Sequence, residues 1–237
     1  MTGRAGPLGV TGHRGRPLPG ADERLLRDRV DGVLAGVAAL GIRELISPLA
    51  EGADRLVSHR ALAAGWNIRA LLPFDAPRYE EDFPSSDSTR EFRQLLQWAS
   101  AVEVVPEAGG PAGGAGSGTR NGPRTALDAT LGATSGNAPL PEGDPDLPYR
   151  RVGEALLDRV AVLVAVWDGE PPRGPGGTGE VVERGRLRGI PVIWIHAAPP
   201  HGIRLLEPGV PGARVVGDPP AATIPSLLGR WLGKGAP

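Results

Sequence analysis

The chain has 237 residues, a formal net charge of −1 and no cysteine. That length supplies a core for one large α/β domain or two small ones, and the charge gives no prior for a polyanionic partner. The missing thiols exclude disulfides, thiolate zinc sites and a cysteine nucleophile.

Apolar runs then alternate with helical patterns along the chain. Leu8–Thr11 reads as a short strand running into Gly12, His13 and Arg14. A helix is expected from Asp22 onward, because Leu26, Val30, Val33, Val37 and Leu40 form one apolar stripe, closed by Gly41. Glu44–Ser47 is the next strand, Ala53–Ala64 the next helix, and Asn67–Pro73 the third strand. Ser88–Ser100 reads as a helix with Phe92, Leu95, Leu96 and Ala99 inward, and Ala101–Val105 is strand-like. Between residues 106 and 148 the pattern stops: 17 of those 43 residues are Gly or Pro, with no periodicity to bury. We read 106–148 as a flexible insertion, ordered near Thr125–Leu131 at most. The pattern resumes with a helix at Tyr149–Arg159 and the strongest strand, Ala161–Trp167, apolar on both faces as a central parallel strand is. A Gly-rich loop, a helix over Thr178–Arg188, a strand at Pro191–Ile195 and a last helix near Ile224–Leu232 follow.

This order predicts an α/β chain with a Rossmann-like, doubly wound, mostly parallel sheet in three αβα layers, and one domain over residues 1–237. Ligands of such sheets bind beyond the carboxyl ends of the strands. Four loops with unusual residues converge on that rim. They are Thr11–Gly15; Ser47–Asp54, with Glu51, Gly52 and Asp54; Pro73–Asp75, with Tyr79, Asp82 and Phe83 downstream; and Trp167-Asp168-Gly169, which leads to the glycine loop.

The glycine loop, GPGGTGEVVE over residues 174–183, has three readings: a phosphate cradle, a tight turn, or part of an active site with Glu183 as its carboxylate. Gly176, Gly177 and Gly179 at a helix start let backbone N–H groups approach an anion, and Thr178 can cap the helix or donate to a phosphate. Arg14 and Arg151 carry forked donors suited to phosphate oxygens, and Glu51 or Asp54 can accept from ribose hydroxyls. Plainer roles stand beside these. His13 is as readily a structural hydrogen-bonder as a ligand contact, Trp167 a core residue, and Asp168 the start of a turn. His59, mid-helix, is expected to be solvated or packed. His196 and His201 lack metal-ligand spacing, so no metal and no cofactor is assigned. Arg150, Arg159, Arg184, Arg186 and Arg188 read as solvated faces. The P-loop lysine is missing, and the glycine loop comes too late in the chain for an NAD fingerprint.

The runs Val10–Arg14, Ser47–Asp54, Val164–Gly169 and Gly174–Glu183 together resemble the SLOG superfamily, over most of residues 8–196 with the insertion excluded. That superfamily gathers the LOG or "lysine decarboxylase-like" proteins, the DprA/Smf proteins, YpsA-like proteins and the ligand-sensing region of TRPM channels. The segment ISPLAEGADRLVSHRALAAGWNIRALLP is similar to the DprA pattern S-G-L-A-x-G-I-D with its following A-H and A-L, and Pro175–Glu183 to the LOG motif P-G-G-x-G-T-x-x-E. The resemblance implies a Rossmann-like fold that binds a nucleotide or nucleotide derivative. It also implies that Glu183 holds the place of the LOG catalytic glutamate, with Arg151 near that of the catalytic arginine. Glu180 departs from the motif by replacing its threonine.

Three functions follow as expectations. The first is a module that binds or senses a small-molecule nucleotide ligand through the four loops. The alternative is a LOG-like phosphoribohydrolase that cleaves the N-glycosidic bond of a nucleoside 5′-monophosphate. The third, a DprA-like single-stranded DNA binder, is disfavoured by the net charge of −1 and only ten aromatics. No apolar run reaches membrane-spanning length and no signal-type apolar stretch opens the chain, so no membrane contact and a cytoplasmic location are expected. A homo-oligomer is compatible with the sequence.

Overall fold

In the computed structural model, residues 6–15, 22–106, 146–171, 176–209, 215–217 and 219–233 are described. The Gly/Pro-rich segment therefore falls almost wholly outside the described residues, as do Thr125–Leu131, Gly174 and Pro175; Leu147 and Pro148 at its end open a helix.

The elements run β1 (Leu8–Gly12), α1 (Glu23–Ala38), β2 (Glu44–Ser47), α2 (Ala53–Ala63), β3 (Asn67–Leu72), α3 (Ala76–Glu80), α4 (Ser86–Trp98) and β4 (Ala101–Val104). Then come α5 (Leu147–Leu157), β5 (Val162–Trp167), α6 (Thr178–Leu187), β6 (Val192–His196), β7 (Ile203–Leu206), β8 (Val215–Gly217) and, after a 3-10 turn, α7 (Ile224–Leu232). They build one sheet in the order β4-β3-β2-β1-β5-β6-β7-β8. Every pair from β4 to β6 is parallel, while β7 and β8 add an antiparallel edge. The fold is thus the expected doubly wound α/β layer. The chain winds outward from β1 to β4, returns across the sheet, and winds outward again from β5. Neighbouring β1 and β5 therefore send their helices to opposite faces, which opens a crevice at their carboxyl ends.

Burial follows the sequence pattern. The α1 stripe Leu26, Val30, Val33 and Val37 packs with Val57 and Ala61 of α2 onto Val10, Val162, Val164 and Ile193. Asp22 caps α1 by accepting the Leu25 N–H at 3.0 Å. On the other face, Val152, Leu156 and Leu157 of α5 and Val181 and Val182 of α6 cover Ile46, Leu71, Leu163 and Ala165. Tyr79 of α3 and Phe92 and Leu95 of α4 pack on Ala70 and Leu72 of β3. Each such side chain contributes about 1.5–3 kcal/mol through removal from water. Strand β5 is buried from Val162 to Val166, as its unbroken apolar run requires.

One expectation is corrected by the packing. The arginines of α5 and α6 are paired rather than merely solvated, because these helices lie side by side with acids opposite. Glu154 takes both Arg184 and Arg188, Arg188 also reaches Asp158 at 2.7 Å, Arg159 reaches Glu103 at 2.5 Å, and Arg186 lies 3.3 Å from Glu183. His59 is packed, as one of its two readings had it, 2.9 Å from Glu91.

Candidate functional site

Strands β1 and β5 pair in register up to Gly12 and Val166, so the loops after them leave the sheet side by side. Gly12 is required there. A Cβ on it would lie 2.4 Å from the Ala53 Cβ and 2.7 Å from the Val166 carbonyl oxygen. That close approach lets the next residue lace three elements together. The His13 N–H donates to the Val166 carbonyl at 3.0 Å, its carbonyl accepts the Ala53 N–H at 3.0 Å, and its Nε2 accepts the Asp168 N–H at 3.1 Å. The same Nε2 is 3.1 Å from Asp168 Oδ2.

The loop from Pro48 to Gly52 brings up the second wall. Leu49 holds a positive φ of 57°, strained for a leucine, and is fully buried. Its conformation is fixed by the fully buried Arg55, whose Nε donates to the Leu49 carbonyl at 3.0 Å while NH1 donates to the Ser88 carbonyl and Oγ at 2.7 and 2.9 Å. The Leu49 N–H in turn donates to Ser47 Oγ at 3.1 Å. This clamp places Asp54 at the start of α2, only 4 % exposed, with Oδ2 accepting the Ala50 N–H at 3.3 Å. Burial pushes the Asp54 carboxyl up to about 7, against the opposing pull of Arg14, the Ala50 N–H and Arg55.

Between these walls lies a cavity of about 410 Å³, within the usual range for small-ligand sites. Thr11, Gly12, His13 and Arg14 line it from β1, Ala50 and Asp54 from the second loop, and Trp167 and Asp168 from β5. Tyr79 closes one side, and Tyr149, Val152, Gly153 and Leu156 of α5 another. Gly176, Gly177, Thr178 and Gly179 bring the start of α6 to the same space. No side chain caps α6; the N-cap is Gly177, and Thr178 is its first helical residue rather than its cap. The Glu180 N–H turns back to the Gly177 carbonyl at 3.0 Å, which leaves the Thr178 and Gly179 N–H groups without a partner among the described residues.

Arg14 supplies a positive charge to the cavity. Among the described residues it makes no ion pair, and its guanidinium lies 4.4 Å from the Tyr149 ring centroid. Burial works to lower its pKa, but Tyr79, Tyr149 and Asp54 outweigh that and hold it above the ordinary arginine value. Burial also raises the Tyr79 hydroxyl, and burial with the hydrogen bond to Asp82 raises that of Tyr149, so both remain donors at neutral pH.

Of the residues singled out in the sequence, Gly12, His13, Arg14, Asp54, Trp167, Asp168, Gly176, Gly177, Thr178 and Gly179 meet at this cavity. Five do not line it. The Glu51 carbonyl accepts the Gly15 N–H at 3.2 Å, Gly52 forms a β-bridge with Arg14, and Gly169 packs under the Trp194 ring. Arg151 lies half-buried on α5, outside the cavity stripe. Glu183 is 52 % exposed and faces Arg186. Tyr149 was the main omission. Its spacing with Val152, Gly153 and Leu156 is the signal that marks one face of α5.

No family model matches the chain, and no curated protein matches it. The solved structures similar to it include two of low identity. DNA processing protein A (DprA) from Streptococcus pneumoniae matches at 14 % identity over 80 % of this chain with a TM-score of 0.46. The chain spans half the length of that protein. The structural-genomics target TM1055 matches at 16 % identity over 79 % of this chain and 72 % of its own, with a TM-score of 0.40. The Rossmann-like fold that the motif resemblance implies is the fold observed. At such identities and scores the likeness assigns no function. Among the described residues no helix is long and apolar enough to cross a membrane, and no three His, Asp or Glu side chains gather as metal ligands.

Proposed function

We propose that this protein binds a nucleotide or nucleotide derivative at the β1–β5 crevice. The observation that carries the reading is Arg14: a cation without an ion pair among the described residues, facing a cavity that also receives the uncapped start of α6. Both features favour an anion, and phosphate oxygens suit a guanidinium fork and first-turn N–H groups alike. Asp54 is positioned for sugar hydroxyls, and Trp167 and Tyr149 supply flat apolar surface for a base.

N-glycoside hydrolysis stands second, and one observation favours it. Two carboxyl groups in unlike settings, buried Asp54 and His13-paired Asp168, line the same space. Glu183 lies outside that space, which weighs toward binding without turnover.

The test is a thermal-shift panel of AMP, ADP-ribose, NAD and cyclic nucleotides, with each hit followed chromatographically for base release. A ligand at about 100 times its Kd adds about 2.7 kcal/mol of stability. A shift without base release supports binding, a shift with release supports the hydrolase, and no shift from any of the four overturns both.

A further inference from the structure

Glu180, in the first turn of α6, folds its carboxylate back onto the loop before the helix. Oε2 accepts the Gly176 N–H at 2.8 Å, and Oε1 accepts from Arg184 at 2.8 Å. Arg150 Nε is 3.6 Å from Oε2. Gly176 has a φ of 73° and lies so close to α5 that a Cβ on it would meet the Arg150 nitrogen at 3.0 Å. The loop is thus pressed against α5, with the glutamate as its clamp. Gly176 to Gly179 present their other side to the cavity, while Glu180 lies behind them beside Arg150, Gly153 and Arg184.

This arrangement limits the negative charge the site can accept. The Gly176 N–H is already committed, so it is withdrawn from any cradle at the helix start. The carboxylate also offsets the positive end of the α6 dipole that a phosphate would use. Arg184 is shared with Glu154, which leaves Arg150, with Nε at 3.6 Å, as the other cation beside the carboxylate. Across the cavity, Asp54 is 4 % exposed and only its Oδ2 has a hydrogen bond among the described residues, so a second acidic group faces the ligand. Against these stands Arg14, one cation with no ion pair among the described residues. One positive charge balances one negative charge, not two.

We propose that Glu180 sets the charge selectivity of the cavity. The start of α6 receives a singly charged phosphodiester, as in a cyclic nucleotide, and discriminates against the doubly charged terminal phosphate of a nucleoside monophosphate. The inference rests on the nucleotide reading above. Two like charges separated by the thickness of the loop repel enough to change affinity by about tenfold, even at an effective dielectric constant of about 20 and with arginines nearby.

The full chain is titrated calorimetrically with AMP, cyclic AMP and ADP-ribose at about pH 8, where a phosphomonoester with its second pKa near 6 is doubly charged. Cyclic AMP is expected to bind at least about tenfold tighter than AMP, and ADP-ribose, whose pyrophosphate carries two negative charges in all, no tighter than AMP. Glu180→Gln keeps an acceptor for the Gly176 N–H and removes the charge, so it should strengthen AMP until it lies within about threefold of the better ligand. Glu180→Thr should do the same, and melting curves show which variant is folded. AMP binding as tightly as cyclic AMP to the wild type, or a ratio unmoved in the folded variants, overturns the selectivity while the nucleotide reading stands. Binding of none of the three overturns the selectivity together with the reading beneath it.

Discussion

His13 and Asp168 close the gap between the two halves of the sheet: the imidazole Nε2 accepts the Asp168 N–H at 3.1 Å and lies at the same distance from its carboxylate. His13→Ala leaves the Asp168 N–H without this acceptor and uncouples the β5 loop from β1. We expect a loss of about 1–3 kcal/mol in stability and weaker nucleotide binding, read by chemical denaturation and titration. Unchanged affinity would remove His13 from the site and leave it a fold residue only.

Asp54 gives the site a dependence on pH. Its folded pKa of about 7 is above its ordinary value of 3.8, so the fold disfavours the ionised form. Between about pH 4 and 7 the unfolded chain has released a proton that the folded chain retains, so this residue's contribution falls as pH rises through that window and is level above it. Asp54→Asn does not titrate. Relative to wild type it should gain about 3 kcal/mol between pH 5 and pH 8, measured by denaturant unfolding. A difference independent of pH would contradict the assigned burial.

Gly12→Ala tests the geometry of the crevice. The added methyl meets the Ala53 Cβ and the Val166 carbonyl oxygen, and neither is the far end of a flexible side chain. The cost should be at least about 1–3 kcal/mol, seen as a lowered Tm together with weakened binding. Wild-type behaviour would mean that β1, α2 and β5 do not approach as described.

Glu183→Ala separates the two functional readings. Its carboxylate is exposed and outside the cavity, so nucleotide affinity should stay within about twofold of wild type, the usual range for a surface substitution. Base release that is present in wild type and abolished in this variant would install the hydrolase instead.

The parts of this structure that were legible in the sequence are those with strong local signals. Strand β2 has the bounds its apolar run predicts, Glu44–Ser47, and α1 follows its stripe and its Asp22 cap. Helix α4 starts at Ser86 rather than Ser88, because several neighbouring serines are competent caps and Ser85 takes the role by accepting the Ser88 N–H at 3.1 Å. Helix α3, with five residues, and the four-residue β7 are too short to show a period, and β8 is shorter still. The site divides along a similar line. Topology brings loops to a rim, so Gly12, His13, Arg14, Asp168 and the start of α6 could be placed from strand order alone. Which way a helical side chain turns could not be. Glu183 is five residues beyond Thr178, about 140° around the helix from it, and this carries it away from the cavity. Arg151 misses for the same reason, since the stripe of Tyr149, Val152, Gly153 and Leu156 faces the ligand space and 151 falls off it.

Amide hydrogen exchange of the wild type and of Arg14→Ala, each with and without the tightest nucleotide from the panel, tests the central claim most directly. Slowed exchange is expected in wild type at residues 11–15, 50–54, 149–156, 167–168 and 176–181, the backbone segments that line the cavity. Arg14→Ala should need about 10–100 times more ligand for the same protection, the usual worth of a charged hydrogen bond. Protection elsewhere on the chain, or protection that is the same without Arg14, would contradict a nucleotide site between β1 and β5.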